Sequence, residues 1–285
     1  MNRQSSAMVL EGGANRGIFT AGVLDYLMEC DFWTDYVVGV SAGACNAVDY
    51  VSRQPGRSRD CIIAWNQEKK RDQLKNLREE HSIIDMRMLF DTFPNHLYPF
   101  DFDTYFNSDM KCELVVTNCL TGKPEYRSET EDAKRLMRLC RASSSLPMLS
   151  PKVMLDGEPF YDGGLADSIP VLHTRKLGYE KIIVVLTQMA GYQKTTSSKQ
   201  LALLQARYHR YPNMVRSYAL RAERYNKSLE HIAKWEAAGK LFVIRPEITP
   251  VKRLEKNEEK LNVFYKHGYD LMGRRYDELR AYMEA

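Results

Sequence analysis

Apolar residues gather into short runs that are separated by longer stretches of helical spacing. The first run is Ala7, Met8, Val9 and Leu10. Consecutive apolar residues of this kind predict a strand buried on both faces. It leads straight into Glu11-Gly12-Gly13-Ala14-Asn15-Arg16-Gly17, after which Ile18, Phe19, Gly22, Val23, Tyr26 and Leu27 recur at three-to-four spacing and predict a helix. The same order then repeats. Residues 36–40 (Tyr-Val-Val-Gly-Val) predict a second buried strand, Ser41 stands at the turn, and residues 42–52 predict a helix of small residues.

The pattern is less regular over the next sixty residues. A polar helix is expected over 60–80, with Ile62, Ile63 and Trp65 on its buried side. The stretch from Phe90 to Phe106 is rich in aromatic residues and predicts an irregular segment, either lining an acyl-chain channel, touching a membrane surface, or packing onto the core. Residues 112–117 predict a core strand, and 131–140 a helix with Ala133, Leu136, Met137 and Cys140 inward. Asp156-Gly157 between two short apolar runs marks a tight hairpin. Asp162-Gly163-Gly164 ends the returning strand, with no third hairpin strand after it.

Residues 181–187 form a β-branched run suited to a central parallel strand. Beyond it, 214–238 predicts one long polar helix, 241–245 a strand, and 254–283 a final helix or helix pair. Strands alternating with helices predict a three-layer α/β/α fold around a mostly parallel sheet.

Composition narrows the functional classes. A formal net charge of +4 over 285 residues is too small for a nucleic-acid binder, and leaves room only for transient contact with an anionic membrane surface. Cys30, Cys45, Cys61, Cys112, Cys119 and Cys140 include no C-x-x-C pair and have no grouped histidine, which predicts neither a zinc site nor a disulfide framework. Residues 1–7 lack the apolar run of a signal peptide, and no stretch is long enough to span a bilayer. The expected location is cytoplasmic, at most peripheral at the membrane. Self-association is left open.

Two turns carry candidate chemistry. Gly39-Val40-Ser41-Ala42-Gly43 matches the G-x-S-x-G nucleophile elbow, in which a sharp strand-to-helix turn exposes a serine hydroxyl and the glycines let neighbouring backbone approach. The turn Gly12 to Gly17 is open to three readings. It is a tight turn, a nucleotide-binding loop with Ala14 in its second glycine slot, or an oxyanion loop. The nucleotide reading wants an acidic residue at the end of the next strand, and this strand ends at Ser41 instead. The oxyanion reading uses peptide N–H groups of Gly12, Gly13 and Ala14, donors that a glycine-to-alanine change leaves in place. Arg16 then either holds the loop or meets an anionic head group.

A serine hydroxyl also needs a base. His81, His96, His173, His209, His231 and His267 all lie outside glycine-rich or strand-end contexts, whereas Asp162 ends a strand and is followed by two glycines.

Taken in order, these pieces resemble the patatin-like phospholipases, whose bacterial members share a glycine-rich loop ending in Arg/Lys-Gly, a G-x-S-x-G and a D-G-[AG] motif. Here they are Gly12 to Gly17, Gly39 to Gly43, and Asp162-Gly163-Gly164, with family-like flanks at 141–147 and 167–171. The resemblance covers about residues 7–175 and departs at Ala14, where the family has glycine. It implies a patatin-like fold with a catalytic core over 7–175, while 176–285 adds the remaining sheet strands and a helical C-terminal extension on the same domain.

It further implies a Ser41–Asp162 dyad acting on lipid or acyl-ester substrates through an acyl-enzyme, with no cofactor and no metal. Gly12, Gly13 and Ala14 would form the oxyanion hole, with Arg16, Gly17, Gly39, Gly43, Gly163 and Gly164 supporting the loops. The rival readings are an α/β-hydrolase triad completed by His209, His231 or His267, and a catalytically silent lipid-binding or regulatory protein on the same fold.

Overall fold

The computed structural model describes residues 5–68 and 84–285. Its described strands form one eight-stranded mixed sheet: β1 (Ser6–Leu10), β2 (Tyr36–Val40), β3 (Lys111–Asn118), β4 (Pro124–Arg127), β5 (Val153–Leu155), β6 (Glu158–Asp162), β7 (Lys181–Val185) and β8 (Phe242–Ile244). The spatial order is β5-β6-β3-β2-β1-β7-β8, with β4 paired to β3. From β3 to β8 all neighbours are parallel, and β4, β6 and β5 add an antiparallel margin.

Strand alternation divides the apolar residues between two layers. Met8, Leu10, Val37, Leu114 and Val116 face the helices Gly17–Glu29, Ala42–Val51 and Glu258–Glu284. Ala7, Val9, Val38, Val40 and Val115 face the opposite way, toward Val171, Tyr225 and Ile232. A strand covered on both sides needs apolar residues at nearly every position, which is why β1, β2 and β7 read as near-unbroken apolar runs.

Residues beyond 176 join this same body. β7 pairs with β1, β8 extends the sheet from β7, and the helix Glu258–Glu284 lies against Gly17–Glu29. The two helices cross at glycines. A methyl group on Gly22 would lie 2.2 Å from Tyr265 O, and one on Gly268 2.2 Å from Phe19 O. Neither helix can carry a side chain at its crossing point.

Several elements differ from the pattern-based expectation. The aromatic stretch is largely helical: Met88–Leu97 forms a wide π-type helix and Phe102–Phe106 a short α-helix capped by Asp101. Phe93, Phe100 and Tyr105 are buried in the core, and Phe90 reaches a cavity beside Ser41, so packing dominates this stretch. The polar helix expected over 214–238 is two helices, Pro212–Ala219 and Arg221–Ala237, meeting at Leu220. The final segment is a single helix. Of the helix expected over 60–80, Arg57–Glu68 is present and the remainder lies outside the described residues.

Candidate active site at the strand ends of β1, β2 and β6

Ser41 sits between β2 and the helix Ala42–Val51 at φ 57° and ψ −123°. That backbone is strained for any L-residue, and its surroundings hold it in place. Ser41 N donates to Ser143 Oγ (2.9 Å), whose hydroxyl donates to Val115 O (2.7 Å). The glycines at either side are sterically required. A methyl on Gly39 would stand 2.2 Å from Gly43 O, and one on Gly43 would stand 2.5 Å from Leu10 O.

The opening glycine loop presses against the elbow from β1. A methyl on Gly12 would come within 3.2 Å of Ser41 Cβ. Gly17 packs on Ala42, and Asn46 Nδ2 donates to both Gly17 O and Ala42 O at 3.0 Å. Around the loop the backbone donors are engaged: Glu11 N with Val185 O, Asn15 N with Arg253 O, Arg16 N with Gly13 O. Between them, the N–H groups of Gly12, Gly13 and Ala14 find no acceptor among the described residues. Ala14 holds φ 50°, the left-handed region where glycine is ordinarily favoured. Arg16 Nε donates to Val251 O (3.0 Å), so of its two expected roles the loop-holding one has a visible partner.

Asp162 closes β6, paired in register with Val116 of β3, and is 3% exposed. Its N donates to Ser145 O (2.7 Å) and its Oδ1 accepts from Gly164 N (2.7 Å). Burial pushes the carboxyl above the ordinary aspartate range; Arg221, the Ser41 side chain, the Gly164 N–H and Arg253 oppose that shift. Gly163 is needed because a methyl there would meet Val115 O at 2.3 Å. Ser41 and Asp162, 121 positions apart, are near enough for the serine side chain to act on the carboxyl's ionisation.

A mainly apolar cavity of about 230 Å³ opens on Ser41 and is walled by Val48, Ile62, Trp65, Met86, Met137 and Leu149 among others. The three histidines of the rival triad lie in other surroundings. His209 meets Ala206 O, His231 stacks on Trp235, and His267 accepts from Glu247 N. His173 pairs with Glu113 (2.7 Å), and His81 lies outside the described residues. Among the described residues no group of histidines, cysteines and carboxylates could hold a metal ion, and no helix is long and apolar enough to cross a membrane.

Sequence reasoning did not assign Ser143, Lys194, Arg221 or Arg253 to this site. Ser143 lay within a family-like flank, which is a usable signal. The other three come from a segment without motifs, and only folding brings them here.

A glycine loop, a strained serine and a buried aspartate lie at strand ends of one α/β sheet. The sequence signature described as patatin-like phospholipase matches residues 8–174, and the chain belongs to that family. A second signature, a domain of unknown function (DUF6363), matches residues 211–284. An uncharacterized protein of Escherichia coli, YjjU, is 33% identical over 187 residues, covering 64% of this chain and 51% of that protein. The lysophospholipase nte1 of Aspergillus terreus is 25% identical over 300 residues, covering 96% of this chain and 18% of that protein. The chain therefore spans about half the length of the first relative and under a fifth of the second. Among solved structures, VipD from Legionella pneumophila aligns at TM-score 0.46 and 15% identity over 97% of this chain and 67% of that one.

Proposed function

We propose that the protein is a serine lipid acyl hydrolase in which Ser41 is the nucleophile and Asp162 the general base. The observation that supports this reading is the approach of Gly12 to Ser41, where an added methyl would lie 3.2 Å from Ser41 Cβ, and three features are assigned to that point. They are the Ser41 hydroxyl, the Asp162 carboxylate, and the unengaged N–H groups of Gly12, Gly13 and Ala14. Family membership and the lysophospholipase named among the relatives favour a lipid ester as the substrate.

In the first half-reaction Ser41 Oγ attacks the acyl carbonyl while its proton passes to Asp162. The new oxyanion is held by the loop N–H groups, an interaction whose loss typically costs about a hundred- to a thousandfold in rate. Collapse expels the alcohol, which takes the proton from Asp162 and leaves an acyl ester on Ser41. Water then attacks that ester, giving a proton to Asp162, and collapse returns this proton to Ser41 Oγ as the fatty acid leaves.

An ordinary aspartate, at about 3.9, is a poor base for a hydroxyl. The raised pKa of Asp162 makes it a stronger base, at the cost of requiring a pH high enough to ionise it. The acyl chain is assigned to the apolar cavity beside Ser41. We further assign residues 7–175 as the catalytic core and 176–285 as its completion.

Fluorophosphonate labelling followed by peptide mapping tests the reading. Label on Ser41, lost in Ser41→Ala, is expected, together with loss of esterase turnover in both Ser41→Ala and Asp162→Asn. An unlabelled wild-type protein, or normal turnover in either folded variant, rejects it. Absence of both labelling and turnover would favour the silent lipid-binding alternative.

A further inference from the structure

Near Asp162, cationic side chains gather without ion-pair partners among the described residues. Arg221 begins the helix Arg221–Ala237, and its Nη2 lies so close to Gly164 that a methyl there would meet it at 3.3 Å. Its Nε is buried and bonds to nothing among the described residues. Lys194 stands over the Tyr225 ring at 3.5 Å from its centre, and Tyr225 in turn donates to Glu11 Oε1 (2.7 Å). Arg253 accepts Asn15 N through its carbonyl (3.1 Å), and it is among the residues lining the Ser41 cavity. None of the three cations forms an ion pair among the described residues.

Their mutual effect is repulsive. Burial comes first and lowers Lys194 well below the ordinary lysine range, and Arg221 and Arg253 lower it further. Arg221 is likewise lowered by burial and then by Arg253. Asp162 offsets part of this at Arg221, and Glu11 and Asp162 offset part of it at Lys194, without forming an ion pair among the described residues. Asp162 Oδ1 accepts from Gly164 N (2.7 Å), and both oxygens of Glu11 are taken by Tyr225 OH and Thr187 N (each 2.7 Å). Thr187 Oγ1, against the glycine loop, is a second buried polar atom with no partner. Unpaired cations beside orphaned polar atoms are costly unless an anion completes them.

The geometry points to a head-group subsite in which Lys194, Arg221 and Arg253 receive a phosphate ester and select acyl lipids of net negative charge. The inference rests on the acyl-hydrolase reading and deepens it. An ester placed at Ser41 would lay its acyl chain in the apolar cavity and its polar end toward these cations. A zwitterionic head group fits poorly. Its quaternary ammonium would meet the guanidinium groups of Arg221 and Arg253, and Lys194 already covers the face of Tyr225 that would otherwise attract it.

The test has two arms. In the first, Ser41→Ala protein is titrated calorimetrically with glycerol 3-phosphate and with inorganic phosphate, which separates binding from catalysis. Saturable glycerol 3-phosphate binding, at least tenfold tighter than inorganic phosphate and at least tenfold weaker in Lys194→Gln and Arg253→Gln, is expected. Equal affinity for both ligands would mean a site for free phosphate and overturns the head-group assignment; no binding overturns the subsite.

In the second arm, kcat/KM is compared for lysophosphatidylglycerol, lysophosphatidylcholine and a monoacylglycerol of the same chain. A tenfold or greater preference for the anionic lipid, carried in KM and collapsing toward unity in the two variants, is expected. Equal rates on all three lipids overturn the selectivity while leaving the hydrolase reading intact. No hydrolysis alongside saturable glycerol 3-phosphate binding places the failure in the catalytic reading instead.

Discussion

Replacing Gly43 by alanine tests how closely the nucleophile elbow and the opening loop must approach. The added methyl would stand 2.5 Å from Leu10 O and 2.8 Å from Glu11 O, whereas ordinary contact begins at 3.4 Å. Both obstacles are backbone, so neither can swing aside as a side chain would. The loop and the elbow must separate by about 0.6–0.9 Å, and Gly12 to Ala14 ride on the part that moves. A misplacement of about 1 Å between reacting groups costs about a hundredfold in rate. The expected outcome is thus a fall in kcat of about a hundredfold on p-nitrophenyl butyrate. KM should change little, because the acyl cavity is walled by other residues.

Stability should move less than rate. Overpacking costs about 1–3 kcal/mol, and alanine recovers about 1 kcal/mol of helix propensity over glycine. Steady-state kinetics with calorimetric melting on the same samples make the comparison. A kcat within threefold of wild type in a variant of unchanged Tm would refute the coupling of loop to elbow.

Two further predictions concern the helix pair behind the site. Asp25 is buried against Tyr265, which donates to it at 2.7 Å, and burial raises its pKa from 3.8 to about 6. A raised carboxyl favours the protonated folded form, so its contribution is present below pH 3.8 and lost as pH rises through about 6. The lost contribution is about 3 kcal/mol. Asp25→Asn should therefore raise urea-unfolding stability by up to about 3 kcal/mol at pH 8 and change it little at pH 4; equal effects at both would count against the assignment. Gly268→Ala places a methyl 2.2 Å from Phe19 O, and should destabilise by about 1–2 kcal/mol despite the gain in helix propensity. An unchanged or raised urea midpoint would show that the helices can part freely.

Much of the architecture was legible where one local rule sufficed. The runs at 7–10, 36–40 and 112–117 are apolar at nearly every position because helices cover both faces of those strands. The hairpin at Asp156-Gly157 was legible from turn chemistry, since Asp156 and Gly157 both take positive φ. Misreadings fell where local pattern has no sharp signal. β4 is a four-residue marginal strand of half-buried residues that, among the described residues, pairs only with β3. The break at Leu220 carries neither proline nor glycine, and tertiary packing turns one polar run into two helices. The π-type helix over Met88–Leu97 contains Pro94, which reads locally as a helix breaker.

The candidate site divides along the same line. The glycines flanking Ser41 and following Asp162 were readable because steric need at a sharp turn leaves a residue-level mark, and the backbone contacts that exclude a side chain are local to those turns. What only the tertiary structure decided is which distant groups share the cleft. Ser143 beneath the elbow and the cations Lys194, Arg221 and Arg253 beside Asp162 belong to separate elements, and their charges matter only at the distances that folding creates. A charge leaves no periodic trace in a sequence, whereas burial and tight turns do.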